Sequence, residues 1–180
     1  MIKQLLNTYW NVAVFQETPD NTPYSRFLLG LGILLFIVIM TVQWELSDLE
    51  FSDEISITFL VACSLALSFI VFTYGLLFAR GLVSRWVQTA TCLYFTHIIV
   101  HFMAFPLFIL DPLLAGANLK NPLLLLVGVI YLFITIGLSV WQFVVTAHIY
   151  KYALNTTAIQ SVLAAFGLIA MNILTVSFWR

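Results

Sequence analysis

The chain has 180 residues, 62% of them hydrophobic and 8% charged, with a net charge of −1 and a mean hydropathy of +1.05. A soluble domain carries ~25% charged residues, so this composition excludes a water-exposed fold, and its long apolar runs read as membrane spans. The near-neutral balance offers nucleic acid nothing to bind, and the two cysteines, Cys63 and Cys92, lie inside apolar runs as packing thiols.

Residues 1–25 come first and differ in kind. Asn7, Asn11, Gln16, Glu17, Asp20 and two prolines interrupt any apolar core of a cleavable signal, so the first span is expected to direct insertion. Ile2, Leu5, Leu6, Tyr9, Trp10, Val12, Ala13 and Phe15 make one helical face, with Lys3, Gln4, Asn7 and Asn11 largely beside it. The pattern predicts an amphipathic helix on the cytoplasmic leaflet, with Leu6 and Trp10 offered to lipid or to a partner. Pro19 and Pro23 then break the chain into a polar turn.

Residues 26–180 read as one transmembrane domain with apolar stretches at 27–44, 55–79, 86–110, 122–147 and 158–179. In hydrocarbon these must be helical, because an isolated strand leaves its backbone groups unpaired. The expected fold is all-α: a polytopic membrane bundle of five transmembrane helices preceded by an amphipathic interfacial helix. Asn121-Pro122 is an N-cap followed by proline at the first helical position. Thr157-Ala158-Ile159-Gln160 has capping-box spacing, and Asp111-Pro112 is expected to end the third span. Ser47-Asp48-Leu49-Glu50 has the same capping spacing and reads equally as a short surface turn or an irregular acidic loop. Trp44, Trp86 and Trp179 stand at span ends, as in an aromatic belt, while Trp141 lies further in as a packing residue.

Placing the N-terminus in the cytoplasm puts Lys3, Arg26, Arg80, Arg85 and Lys151 inside and only Lys120 and Arg180 outside. That split satisfies the positive-inside rule, with the C-terminus on the outer side. The glycosylation sequon Asn155-Thr156-Thr157 then falls in a cytoplasmic loop and is discounted.

The sharpest chemical constellation is Thr96-His97-Ile98-Ile99-Val100-His101, whose two histidines share one face of the third span. An ionisable group inside a bilayer is a functional hypothesis by default. One use is a polar path lined by Thr89, Thr96, His97, His101 and Gln142, with a kink at Pro106 as its gate. A second is a metal or haem site on His97 and His101. A metal needs about four ligands, yet the nearest carboxylate, Asp111, lies about 15 Å along the helix. A bis-histidine haem needs ligands from opposite sides, and His148 sits at another depth. The structural alternative is that both imidazoles hydrogen-bond to neighbouring helices. Ser139, Gln142 and Thr146 recur on one face of the fourth span, and Ser64 and Ser68 on one face of the second. No Asp, Glu, Lys or Arg lies in a span interior, so neither an enzyme nor a bound cofactor is expected.

Trp141, the run to His148 and Tyr150, the brief Lys151–Thr157 connection and an apolar last span form a closing hairpin, and Thr22-Pro23-Tyr24-Ser25 precedes the first span. With the five close-set spans, this plan resembles the Yip domain family, the Rab- or Ypt-interacting membrane proteins and their bacterial relatives. The acidic and Tyr-Gly-Pro motifs of the eukaryotic members are absent, so binding of a Rab-like GTPase is not carried over. The resemblance implies a non-enzymatic protein acting through other membrane proteins or self-association, in a bacterial inner membrane. A small channel or transporter is the alternative, and an electron-transfer subunit the third.

Overall fold

In the computed structural model, residues 2–47, 55–116 and 121–179 are described. They form six α-helices and no strand: α1 (Ile2–Ala13), α2 (Arg26–Leu46), α3 (Ile55–Ala79), α4 (Trp86–Ala115), α5 (Pro122–Ala153) and α6 (Ala158–Ser177). Helices α2 to α6 are each long and apolar enough to cross a membrane. This is an integral membrane protein with an all-α polytopic bundle.

Local chemistry sets the helix ends. Ser25, Asn121 and Thr157 accept from the backbone N–H groups of Leu28, Leu123 and Gln160 and so start α2, α5 and α6. Only half of the expected box at Thr157 forms, because Gln160 Oε1 takes its hydrogen bond from Arg80 Nη2 at 2.9 Å. Three helices stop on a residue with positive φ: Phe15 (62°) after α1, Gly81 (69°) after α3 and Asn155 (48°) after α5. In each, that residue's own N–H and the next one turn back to the final carbonyls, for instance Asn155 N to Tyr152 O at 3.2 Å and Thr156 N to Lys151 O at 3.0 Å. Asn155 of the sequon is thus a helix terminator.

Three boundaries differ from expectation. Helix α2 runs 21 residues and reaches Leu46, so the first span is not short. Asp111-Pro112 does not end α4, which continues to Ala115, although a proline loses one helical hydrogen bond and crowds the carbonyl four residues back. Helix α5 runs on past Ala147 to Ala153. Ser47 closes α2, its N–H bonding to Gln43 O at 3.1 Å, and the rest of the expected turn, Asp48 to Glu50, lies outside the described residues.

Helix α4 is the axis of the bundle, contacting α1, α2, α3 and α5. Its first half is buried almost all round, from Val87 to His97. Small residues there (Ala90, Thr89, Thr91, Cys92) let neighbours approach closely. Gly32 of α2 does the same, since a Cβ there would stand 3.3 Å from both Tyr94 and the Phe95 ring. Phe36, Phe69 and Tyr94 join α2, α3 and α4 in an aromatic cluster, with centroids 5.3 to 5.7 Å apart. Further hydrogen bonds link the rest: Thr73 to Tyr150 at 2.9 Å and Tyr94 to the Ala66 carbonyl, both buried, and Ser68 to the half-buried Asn172 at 3.0 Å.

Helix α1 precedes the spans as an amphipathic helix and docks along α4. Tyr9 stacks on Phe95 at 4.5 Å, and Trp141 Nε1 donates to Ala13 O at 2.8 Å. Tyr9, Val12 and Ala13 are fully buried, whereas Leu6, Trp10 and Phe15 stay exposed. The wide apolar arc therefore divides between the bundle and its surroundings. Lys3 shares a groove with Phe102 and Met103, well along α4 from the end that holds Arg26, Arg80, Arg85 and Lys151. Trp44 is buried in the bundle and not part of an exposed aromatic belt.

Candidate functional site

His97 and His101 project from α4 between α2 and α5, where two glutamines meet them. Gln43 of α2, itself fully buried, donates from Nε2 to His101 O at 2.6 Å and presents Oε1 to His101 Nδ1 at 2.9 Å. The first bond orients the Gln43 amide, so the second requires the proton on His101 Nδ1 and leaves Nε2 an acceptor. Gln142 of α5 directs Nε2 to His97 Nδ1 at 2.6 Å and to His101 Nε2 at 3.5 Å. His97 is then protonated on Nε2, which donates to Thr146 Oγ1 at 3.0 Å, and Thr146 donates onward to Gln142 O at 2.8 Å. Two neutral imidazoles thus tie three helices together, framed by the rings of Phe36 and Phe69.

Two cavities flank this cluster and both touch Gln142 and Ser139. One, of about 250 Å³, lies in the cleft between α4 and α5 and runs from His101 past Thr135 to Asp111 and Tyr131. The other, of about 210 Å³, reaches His97, Thr146 and Asn172 beside α6. Tyr131 Oη donates to Asp111 Oδ1 at 2.9 Å at the far end of the cleft. Tyr131, Thr135, Ser139, Gln142, Thr146 and Tyr150 recur every three or four residues of α5, a stripe of about 29 Å. That length matches the ~30 Å hydrocarbon core.

Of the residues singled out by sequence, His97, His101 and Gln142 come together. Thr89 and Thr96 do not join them; each hydroxyl bonds a carbonyl of its own helix, at 2.9 Å to Arg85 O and Cys92 O respectively. Pro106 lies exposed beyond the cluster. It removes a helical N–H, and the nearby His101 carbonyl takes its extra donor from Gln43. Leu6 and Trp10 line a separate apolar groove of about 640 Å³ between α1 and α4. Gln43 was not among the candidates from sequence, although a lone amide inside an apolar run was its signal. Among the described residues no three His, Cys, Asp or Glu side chains cluster as metal ligands. His148 is bound elsewhere, to Glu17 O at 3.1 Å.

Comparison with protein families, curated proteins and solved structures finds no match for this chain.

Tyr9 and Thr156 also stand out, their hydroxyls buried without a hydrogen-bond partner among the described residues, and Tyr9 is the larger of the two. Burial pushes the Tyr9 phenol above its usual range. It remains a neutral donor with nothing to donate to.

Proposed function

We propose that this protein carries a small polar solute or a proton through the membrane along the polar stripe of α5, without covalent catalysis. The observation that carries the reading is the pair of cavities meeting on Gln142, beside two neutral histidines. A packing-only cluster needs no open volume on either side of it. With Arg26, Arg80, Arg85 and Lys151 at one end of the bundle, the basic end faces the cytoplasm of a bacterial inner membrane.

The test uses the full chain in liposomes, with an internal pH dye for protons and light scattering for osmotic entry of neutral solutes. The wild type should give a flux that His97→Ala, His101→Ala and Gln142→Leu each lower at least tenfold. Wild-type vesicles no leakier than protein-free ones sink the proposal.

A second reading, of a Yip-like protein acting through partners, is supported by the groove that leaves Leu6 and Trp10 exposed on α1. Under it, a defined membrane protein co-purifies in mild detergent and is lost in Leu6→Ser/Trp10→Ser. A chain that retains no partner under those conditions refutes it.

A further inference from the structure

The cleft between α4 and α5 has an unusual hydrogen-bond inventory. Thr135 and Ser139 have both committed their hydroxyl protons to the carbonyls of Tyr131 and Thr135, at 2.9 and 2.8 Å. Tyr131 has committed its proton to Asp111. The Gln142 amide N–H groups are taken by the two imidazoles. Among the described residues, the lining groups with acceptor capacity to spare are Gln142 Oε1, the weakly engaged His101 Nε2 and the Asp111 carboxylate. Among the described residues no Lys or Arg pairs with Asp111. The walls between these groups are apolar, formed by Val100, Leu107, Phe108 and Leu138.

A site that offers acceptors and one negative charge, but no free donor, selects a ligand that is donor-rich and positively charged. Its apolar walls require a hydrocarbon body. The volume of about 250 Å³ limits that body to a small one. We infer that the α4–α5 cleft binds a primary ammonium group carrying a short hydrocarbon chain. Asp111 holds the ammonium group at one end of the cleft, and the hydrocarbon chain lies along Leu107, Phe108 and Leu138 towards Gln142 and His101, about 15 Å further in. Two sources share this chemistry: a free small amine, and the amino headgroup of a phospholipid entering sideways between the helices. The inference rests on the transport reading only for the fate of the bound amine, since occupancy is measured without flux.

The experiment follows the unfolding midpoint of the full chain in phosphatidylcholine nanodiscs at pH 7. In one arm n-propylammonium, tetramethylammonium and 1-propanol are titrated in turn. In the other, phosphatidylethanolamine replaces part of the lipid and no free amine is added. Propylammonium or phosphatidylethanolamine should raise the midpoint saturably, by about 2–4 °C. Tetramethylammonium, a cation without N–H donors, and propanol, a donor without charge, should each bind at least tenfold more weakly. Asp111→Asn, which keeps an acceptor for Tyr131, should weaken the effective arm at least tenfold. The inference is overturned if neither ammonium source shifts the midpoint, if propanol or tetramethylammonium matches it, or if Asp111→Asn leaves the response unchanged. Saturable amine binding without flux would reject transport and keep the site; flux of some other solute without amine binding would do the reverse.

Discussion

Gln43 shows how a single buried amide decides the protonation of a neighbour. Because its N–H₂ must face the His101 carbonyl, its oxygen faces the ring, and the tautomers of both histidines are then set in turn through Gln142 and Thr146. Tyr9 is the opposite case, a buried hydroxyl that gains nothing. An unsatisfied buried hydroxyl costs about 1–3 kcal/mol, so Tyr9→Phe should leave stability unchanged or raise it by about 1 kcal/mol. The midpoint of thermal unfolding in detergent checks this. A lower midpoint would mean that the hydroxyl has a partner. Phe15 occupies left-handed backbone with φ 62°, a conformation costing a non-glycine residue about 1–2 kcal/mol. Its ring, edge-on to His148 at 5.3 Å, gives back some of that as packing.

At the scale of elements, α4 is held on one side by α2 and on another by α1, by different means. The approach of α2 depends on Gly32, where a Cβ would press on Tyr94 and Phe95; at Gly30 nothing lies within 4 Å. Gly32→Val should therefore destabilise the bundle by about 1–3 kcal/mol through overpacking, while Gly30→Val changes little. Equal midpoints for the two variants would contradict this contact. Helix α1 is tied by the Trp141 indole to Ala13 O and by the Tyr9–Phe95 stack. Trp141→Phe removes the hydrogen bond and should increase amide exchange across residues 2–13, with α4 and α5 unaffected. If protection fell evenly through all helices, α1 would be an integral part of the core and not a docked element.

For the whole molecule, α4 and α5 are the long members. At 30 and 32 residues they extend about 45 and 48 Å, against a hydrocarbon core of ~30 Å. The helical hairpin they form must tilt or project from the bilayer. The basic residues gather at its opposite end, and this predicts the orientation. In a background of Cys63→Ala and Cys92→Ala, Ser84→Cys should be labelled by an impermeant maleimide only after the membrane is opened. Gly116→Cys should be labelled in intact spheroplasts. The reverse pattern would invert the topology.

Composition and hydropathy were enough to specify five spans, their order and most of their ends, because the bilayer allows a continuous apolar run only one hydrogen-bonded form. Caps such as Asn121 and Thr157 act within one turn and are therefore legible locally. The His97–His101 pair was visible as an i, i+4 motif, and so was the polar face of α5 from Ser139 to Thr146. What hydropathy cannot encode is the register between helices, since lipid and a neighbouring helix are equally apolar solvents for Leu or Phe. That register alone brings Gln43, 58 residues away in the chain, onto His101, and leaves Thr89 and Thr96 bonding only their own helix. It likewise turned the amphipathic residues 2–13 onto α4, and opened the cleft that joins Asp111 to Gln142. The spans follow from the solvent the sequence must live in; the site follows from contacts that exist only once the helices have met.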